Sequence, residues 1–166
     1  MASKAKEEFA TYVRNFIFGV EDSLVSTVGL LSGVAAAGLS KHDIFLTGIV
    51  LLFVEAFSMG VGSFLSEESA EEYVGNKKSF SLHGALIMFF SYFAAGFIPL
   101  APYLMFDINK AFVSSVTLSL LALFLLGIVS SKIFQDKHST KHAIRMLLIG
   151  GMAIAVGIIV GKLVNA

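Results

Sequence analysis

Between Gly19 and Gly38 the chain reads GVEDSLVSTVGLLSGVAAAG, an apolar stretch long enough to cross a bilayer that carries two adjacent carboxylates, Glu21 and Asp22. A second apolar stretch holds Glu55 and, one helical turn further on, Met59. An ionised carboxylate in hydrocarbon costs about 2.5–3.5 kcal/mol or more, so such groups face a partner, a wet cavity or a substrate. Carboxylate oxygens attract hard and borderline divalent cations, and a thioether adds softness that favours late first-row metals over Mg2+ or Ca2+. Two carboxylates with a methionine therefore point to a transition metal such as Fe2+.

Depth links the two stretches. With Val13 and Ser66 as the inner edges, Asp22 lies about 13 Å deep, Met59 about 10 Å and Glu55 about 16 Å, so antiparallel helices bring them to one level. Glu55, Met59, Ser63, Glu67 and Glu71 recur every four residues, a face that drifts by about 40° per step on an α-helix. Glu68 and Glu72 form a neighbouring pair at the same spacing. The run EESAEEY reads either as a helical extension that collects cations at the mouth of a pathway or as a solvated acidic loop. Met59 by itself also reads as packing filler, and Glu55 as a group satisfied by backbone or water. Glu21 and Asp22 are about 100° apart on a helix and cannot share one pathway. Asp22 is the better site residue because Ser26 and Gly29 continue its face. His138 and His142 have a metal-pair spacing, but in a basic loop they read first as solvated.

The elements that must position these groups are five transmembrane helices, expected at about 14–38, 43–66, 82–105, 109–132 and 143–163, each near the ~20 residues that span a bilayer. The predicted fold is all-α and polytopic, one transmembrane domain over residues 1–166. Hydrophobic residues make up 56% of the chain and charged residues 14%; one soluble core of this size leaves about a third of the unfolded chain's surface exposed, so lipid must cover the remainder. An odd number of spans separates the termini. With the N-terminus inside, Lys4, Lys6, Arg14, Lys77, Lys78, Lys132, Lys137, Lys141 and Arg145 are inner and only Lys41, Lys110 and Lys162 outer, which satisfies the positive-inside rule and predicts a cytoplasmic N-terminus.

The buried acids all fall in the first two spans, which should line any ion path while the other three act as scaffold. Gly29 with Gly33, Ser58 with Gly62, and Gly157 with Gly161 mark packing faces. Asp43 and either Asp107 or Asn109 suit helix N-caps, and Pro99 and Pro102 should kink or end the third helix. Residues 1–12 lack the pattern of a cleaved signal peptide, so neither cleavage nor a separate soluble domain is expected. With no cysteine there is no disulfide or thiolate site, and with no net charge there is no nucleic-acid footprint. No nucleophile–base or cofactor signature marks an enzyme, and no cofactor is expected.

At Glu21–Gly38, EDSLVSTVGLLSGVAAAG, and Glu55–Tyr73, EAFSMGVGSFLSEESAEEY, the chain resembles the vacuolar iron transporter family, whose pattern has an Asp-Gly-Leu-Val run in the first span and a Ser-Met-Gly/Ala-x-Gly run in the second. The resemblance implies a homodimer with the ion path between the first and second helices at the subunit interface. It implies movement of Fe2+, and often Mn2+, out of the cytosol in exchange for protons. The family's motif aspartate falls on Asp22 and its methionine on Met59. The chain departs from the pattern in three places. Ser23 replaces the common glycine; a glutamate found two turns before the methionine in some members falls on Leu51, with Glu55 as its substitute; and only Glu67–Ser81 stands where eukaryotic iron-transporting members insert a cytoplasmic metal-binding domain.

The resulting expectation is a proton-coupled antiporter in a cell membrane if prokaryotic or a vacuolar membrane if eukaryotic. Metal enters past Glu67, Glu68, Glu71 and Glu72 and binds Asp22 and Met59, while Glu55 or Glu21 carries the proton. The alternatives are a non-transporting membrane metal-binding or sensing subunit, and a transporter of another solute on the same scaffold.

Overall fold

The computed structural model describes residues 2–73, 75, 81–133 and 139–165. It contains α1 (Ala2–Ala36), α2 (Lys41–Tyr73), α3 (Ser81–Leu100), a single turn α4 (Pro102–Met105), α5 (Ile108–Ile133) and α6 (Ser139–Val164). Five of these helices are long and apolar enough to cross a membrane, α3 and α4 counting as one. At 1.5 Å per residue, α1 and α2 each measure about 50 Å, well beyond the ~30 Å of hydrocarbon. They overshoot at the end that carries the N-terminus, so EESAEEY is helical and the lead before Val13 is continuous with the first span.

Outward faces are strongly apolar: Phe57 is 66% exposed, Leu125 59% and Ile159 57%. In water this surface would drive aggregation; in a bilayer it is the lipid contact. α1 is the central element and packs against α3, α6, α5 and α2. One core cluster, with Leu31, Leu52, Tyr92, Leu100, Tyr103 and Ala111, joins α1, α2, α3, α4 and the start of α5. A second, with Ile17, Leu24, Ala95, Leu123 and Met146, joins α1, α3, α5 and α6.

The glycine motifs find their partners inside the chain. A Cβ at Gly157 would run into the Gly29 carbonyl, one at Gly161 into the Gly33 carbonyl, and one at Gly33 would stand 2.8 Å from the Gly157 carbonyl. α1 and α6 thus meet backbone to backbone, and these glycines are consumed by that contact. Gly62 of α2 has no neighbouring atom within 4 Å of such a Cβ, so the Ser58/Gly62 face remains open. Because overpacking a tight contact costs about 1–3 kcal/mol, Gly157→Val should lower the thermal unfolding midpoint, followed by circular dichroism, by several degrees. Gly151→Ala, which meets nothing within 4 Å, should leave it unchanged.

Two helix starts differ from expectation or refine it. The cap of α2 is Ser40, whose Oγ accepts the Asp43 N–H at 3.2 Å and donates to Asp43 Oδ2 at 2.6 Å. Asp43 sits in the first turn of the helix because the serine, three residues earlier, already caps its backbone N–H. Asp107 directly precedes α5, and its carbonyl accepts the Ala111 N–H. Pro99 lies inside α3, where the Ser115 hydroxyl donates to its carbonyl at 2.7 Å, and Pro102 opens the separate turn α4.

Candidate metal site

Register between α1 and α2 is marked by one ion pair. Arg14 Nη2 lies 3.1 Å from Glu67 Oε1, the only ion pair among the described residues. An equal eight-residue step along each helix, about 12 Å, leads from this pair to Asp22 on α1 and Met59 on α2. The two residues therefore stand at one level, as the depth argument requires.

At that level polar groups from three helices converge. Asp22 and Glu55 lie close enough for their charges to interact, and both are half-buried. Facing them from α3 is Tyr92, fully buried, whose phenol is within 2.7 Å of the Ser26 hydroxyl and within electrostatic reach of both carboxylates. Ser23 fixes the same segment by donating to the Tyr92 carbonyl at 2.6 Å. Ser23 and Tyr92 are both fully buried, and Gly96 makes room for the serine: a Cβ there would meet Ser23 Oγ at 2.8 Å. Tyr92 was not among the residues singled out from the sequence. The signal for it is a single tyrosine among the phenylalanines of α3, which looks like one more apolar aromatic until its neighbours are known.

Glu21 points elsewhere, as the 100° step demands. It is near His142 and Arg145 at the start of α6. His138, the other member of the sequence pair, lies outside the described residues. Met59 does two things: it packs against the core cluster that includes Leu52 and Tyr92, and it lines a cleft of about 660 Å³ with Ser58, Gly62, Ser63, Asn15 and Met88. The five ladder residues Glu55, Met59, Ser63, Glu67 and Glu71 are all half-buried, flanking the buried stripe Leu52, Ala56 and Gly60. Glu68 and Glu72 are exposed.

Glu67 does not hang free in water. Its side chain is 10% exposed, and Oε1 accepts from Arg14, from Asn15 Nδ2 at 2.7 Å and from the Ser63 hydroxyl at 3.4 Å. Gly84 of α3 lets the carboxylate tuck in, since a Cβ there would stand 2.7 Å from Glu67 Oε2. Among the described residues no three His, Asp or Glu side chains of one chain gather as a metal-holding group. One chain thus brings two carboxylates and a thioether to the same level.

A family model described as the VIT family matches residues 13–80 and 76–162, nearly the whole chain. The chain belongs to the VIT family. It is 24% identical to "Vacuolar iron transporter 1" of Eucalyptus grandis over 217 aligned positions, covering 93% of this chain and 87% of the relative. It is 23% identical to "Vacuolar iron transporter 1" of Arabidopsis thaliana, over 92% and 86% respectively. "Vacuolar iron transporter homolog 4" of the same plant is 27% identical over 174 positions, 95% of this chain and 86% of the relative. The 217-position alignment is far longer than the 166 residues here, so the Eucalyptus protein carries residues this VIT family member lacks; the homolog 4 alignment is barely longer. The two matched stretches of the family model meet between α2 and α3, where the resemblance placed the insertion. With its five apolar helices, this VIT family member is a multi-pass integral membrane protein.

Proposed function

We propose that the chain is a transporter that removes Fe2+, and also Mn2+, from the cytosol in exchange for protons, working as a homodimer with a cytoplasmic N-terminus. The observation that carries this reading is the convergence of Asp22 and Glu55 on Tyr92, with Met59 at the same depth, inside helices that cross hydrocarbon. Two carboxylates held close together repel when both are ionised, so a divalent cation or a proton relieves the same electrostatic load. That competition is what couples the two fluxes: metal bound displaces a proton, and a proton returning displaces metal. The thioether of Met59 discriminates against Mg2+ and Ca2+, which outnumber transition metals in cells.

The homodimer is supported by the partial ligand set of one chain and by α2, whose Phe53, Val54 and Phe57 face outward beside the open Ser58/Gly62 surface. A second α2 against this face would complete coordination with Asp22 and Met59 of both copies. The orientation rests on the lysines and arginines at the N-terminal end. The names of the relatives support iron as cargo.

The test is transport into liposomes containing the purified protein, with a metal-sensitive dye and a pH dye inside. Influx of Fe2+ or Mn2+ with opposite proton flux is expected. Metal bound but never moved would favour a binding or sensing subunit instead.

A further inference from the structure

The pairing of Arg14 with Glu67 has a geometry unlike an ordinary surface ion pair. One carboxylate oxygen receives three donors, from Arg14 and Asn15 of α1 and from Ser63 of α2, in a pocket for which Gly84 of α3 leaves room. The carboxylate is 10% exposed, whereas the arginine side chain is 65% exposed, so the anion belongs to the protein interior and the cation reaches it from outside. Arg14, Asn15 and Ser63 also line the cleft that leads to Met59. A cation leaving Glu67 along this cleft therefore arrives at the thioether.

We propose that Glu67, with the Asn15 side-chain oxygen and the Ser63 hydroxyl, is an entry site for a divalent transition metal, and that the Arg14 guanidinium is a tethered cation that holds this site until metal replaces it. The proposal deepens the transport reading and rests on it. The oxygen donors suit such an ion: a carboxylate, an amide that can rotate to present its oxygen, and a hydroxyl. The arginine solves two problems at once. It neutralises a nearly buried carboxylate that would otherwise be costly in the resting protein, and it sets a threshold of metal concentration below which the cleft stays closed to cations. The threshold is set by competition between the guanidinium and the dication for one carboxylate. Glu71, one turn further out and half-buried, is the nearest acid on the same face to receive the displaced guanidinium or the next ion.

The experiment is Mn2+ binding to the purified full chain in nanodiscs, read by electron paramagnetic resonance. An opposite charge beside a carboxylate shifts its equilibria by one to three decades, so Arg14→Gln should tighten Mn2+ binding by about tenfold or more. Arg14→Lys should stay near wild type, and Glu67→Gln should erase the gain in the double variant. The gain should persist in an Asp22→Asn background, which lacks the deeper site; a failure of the transport reading would show separately as absent flux in liposomes with the binding gain intact. Unchanged or weaker Mn2+ binding in a folded Arg14→Gln protein would overturn the proposal and leave the pair as a brace between helices. Should that variant not fold, wild type decides: saturating Mn2+ should raise modification of Arg14 by phenylglyoxal, measured by peptide mass spectrometry, and no rise would overturn it.

Discussion

Asp22→Asn should abolish metal flux in liposomes, by at least about 100-fold, while the protein still folds and inserts. Asparagine keeps the size of the side chain and its place beside Glu55 but removes the charge that draws a dication out of water. Changing residues that merely orient a metal ligand costs about 10–100-fold in affinity or activity; removing a ligand charge inside a low-dielectric bundle should cost more. The substitution also removes the repulsion with Glu55, so the variant should be at least as heat-stable as wild type, which separates lost function from lost fold. Initial rates of Fe2+ and Mn2+ uptake, with the thermal midpoint measured on the same preparation, check both halves. Flux within a few-fold of wild type would remove Asp22 from the pathway and with it the central assignment.

Glu55→Gln should uncouple the two fluxes. The glutamate lies one turn deeper than Met59 and next to Asp22 across the helix pair, with the Tyr92 phenol in reach. It is placed to exchange a proton for the positive charge that metal brings to Asp22. Glutamine can accept and donate hydrogen bonds there but cannot release a proton. Metal should still bind, with affinity reduced by about tenfold for the lost charge, and residual metal movement should no longer respond to an imposed pH gradient. Simultaneous metal and pH dyes read this directly: in wild type the lumen should become more alkaline in step with metal influx, and in the variant it should not. Coupling that survives in Glu55→Gln would shift the proton role to Glu21, which faces His142 and Arg145 on α6 rather than Glu55.

Much of this was legible before any coordinates. The lengths of the apolar runs set the number of crossings, because a helix must satisfy its own backbone in lipid and needs about 20 residues to do so. The two motifs put Asp22 and Met59 on the first two helices, and simple rise per residue put them at one depth. The 100° step between neighbours already separated Glu21 from Asp22. Four-residue spacing marked the ladder from Glu55 to Glu71 as one face, and every member of it is half-buried in the fold.

Helix-to-helix partnership was decided only by the tertiary structure. Lipid tails are as apolar as leucine, so no hydrophobic force tells a glycine face which neighbour to choose; close packing and hydrogen bonds do. Gly29 and Gly33 could have served a second chain and instead receive Gly157 and Gly161 of α6. Tyr92 could have faced lipid with the phenylalanines around it and instead joins Ser26 beside both carboxylates. Glu67 read either as a cation-collecting acid at the mouth or as part of a solvated loop, and it is held by Arg14 and Asn15, more than fifty residues away in the chain. Periodicity states which residues share a face of one helix, a local property of the backbone. Which faces meet depends on crossing angles and on where small residues let backbones approach, and those are properties of the assembled bundle.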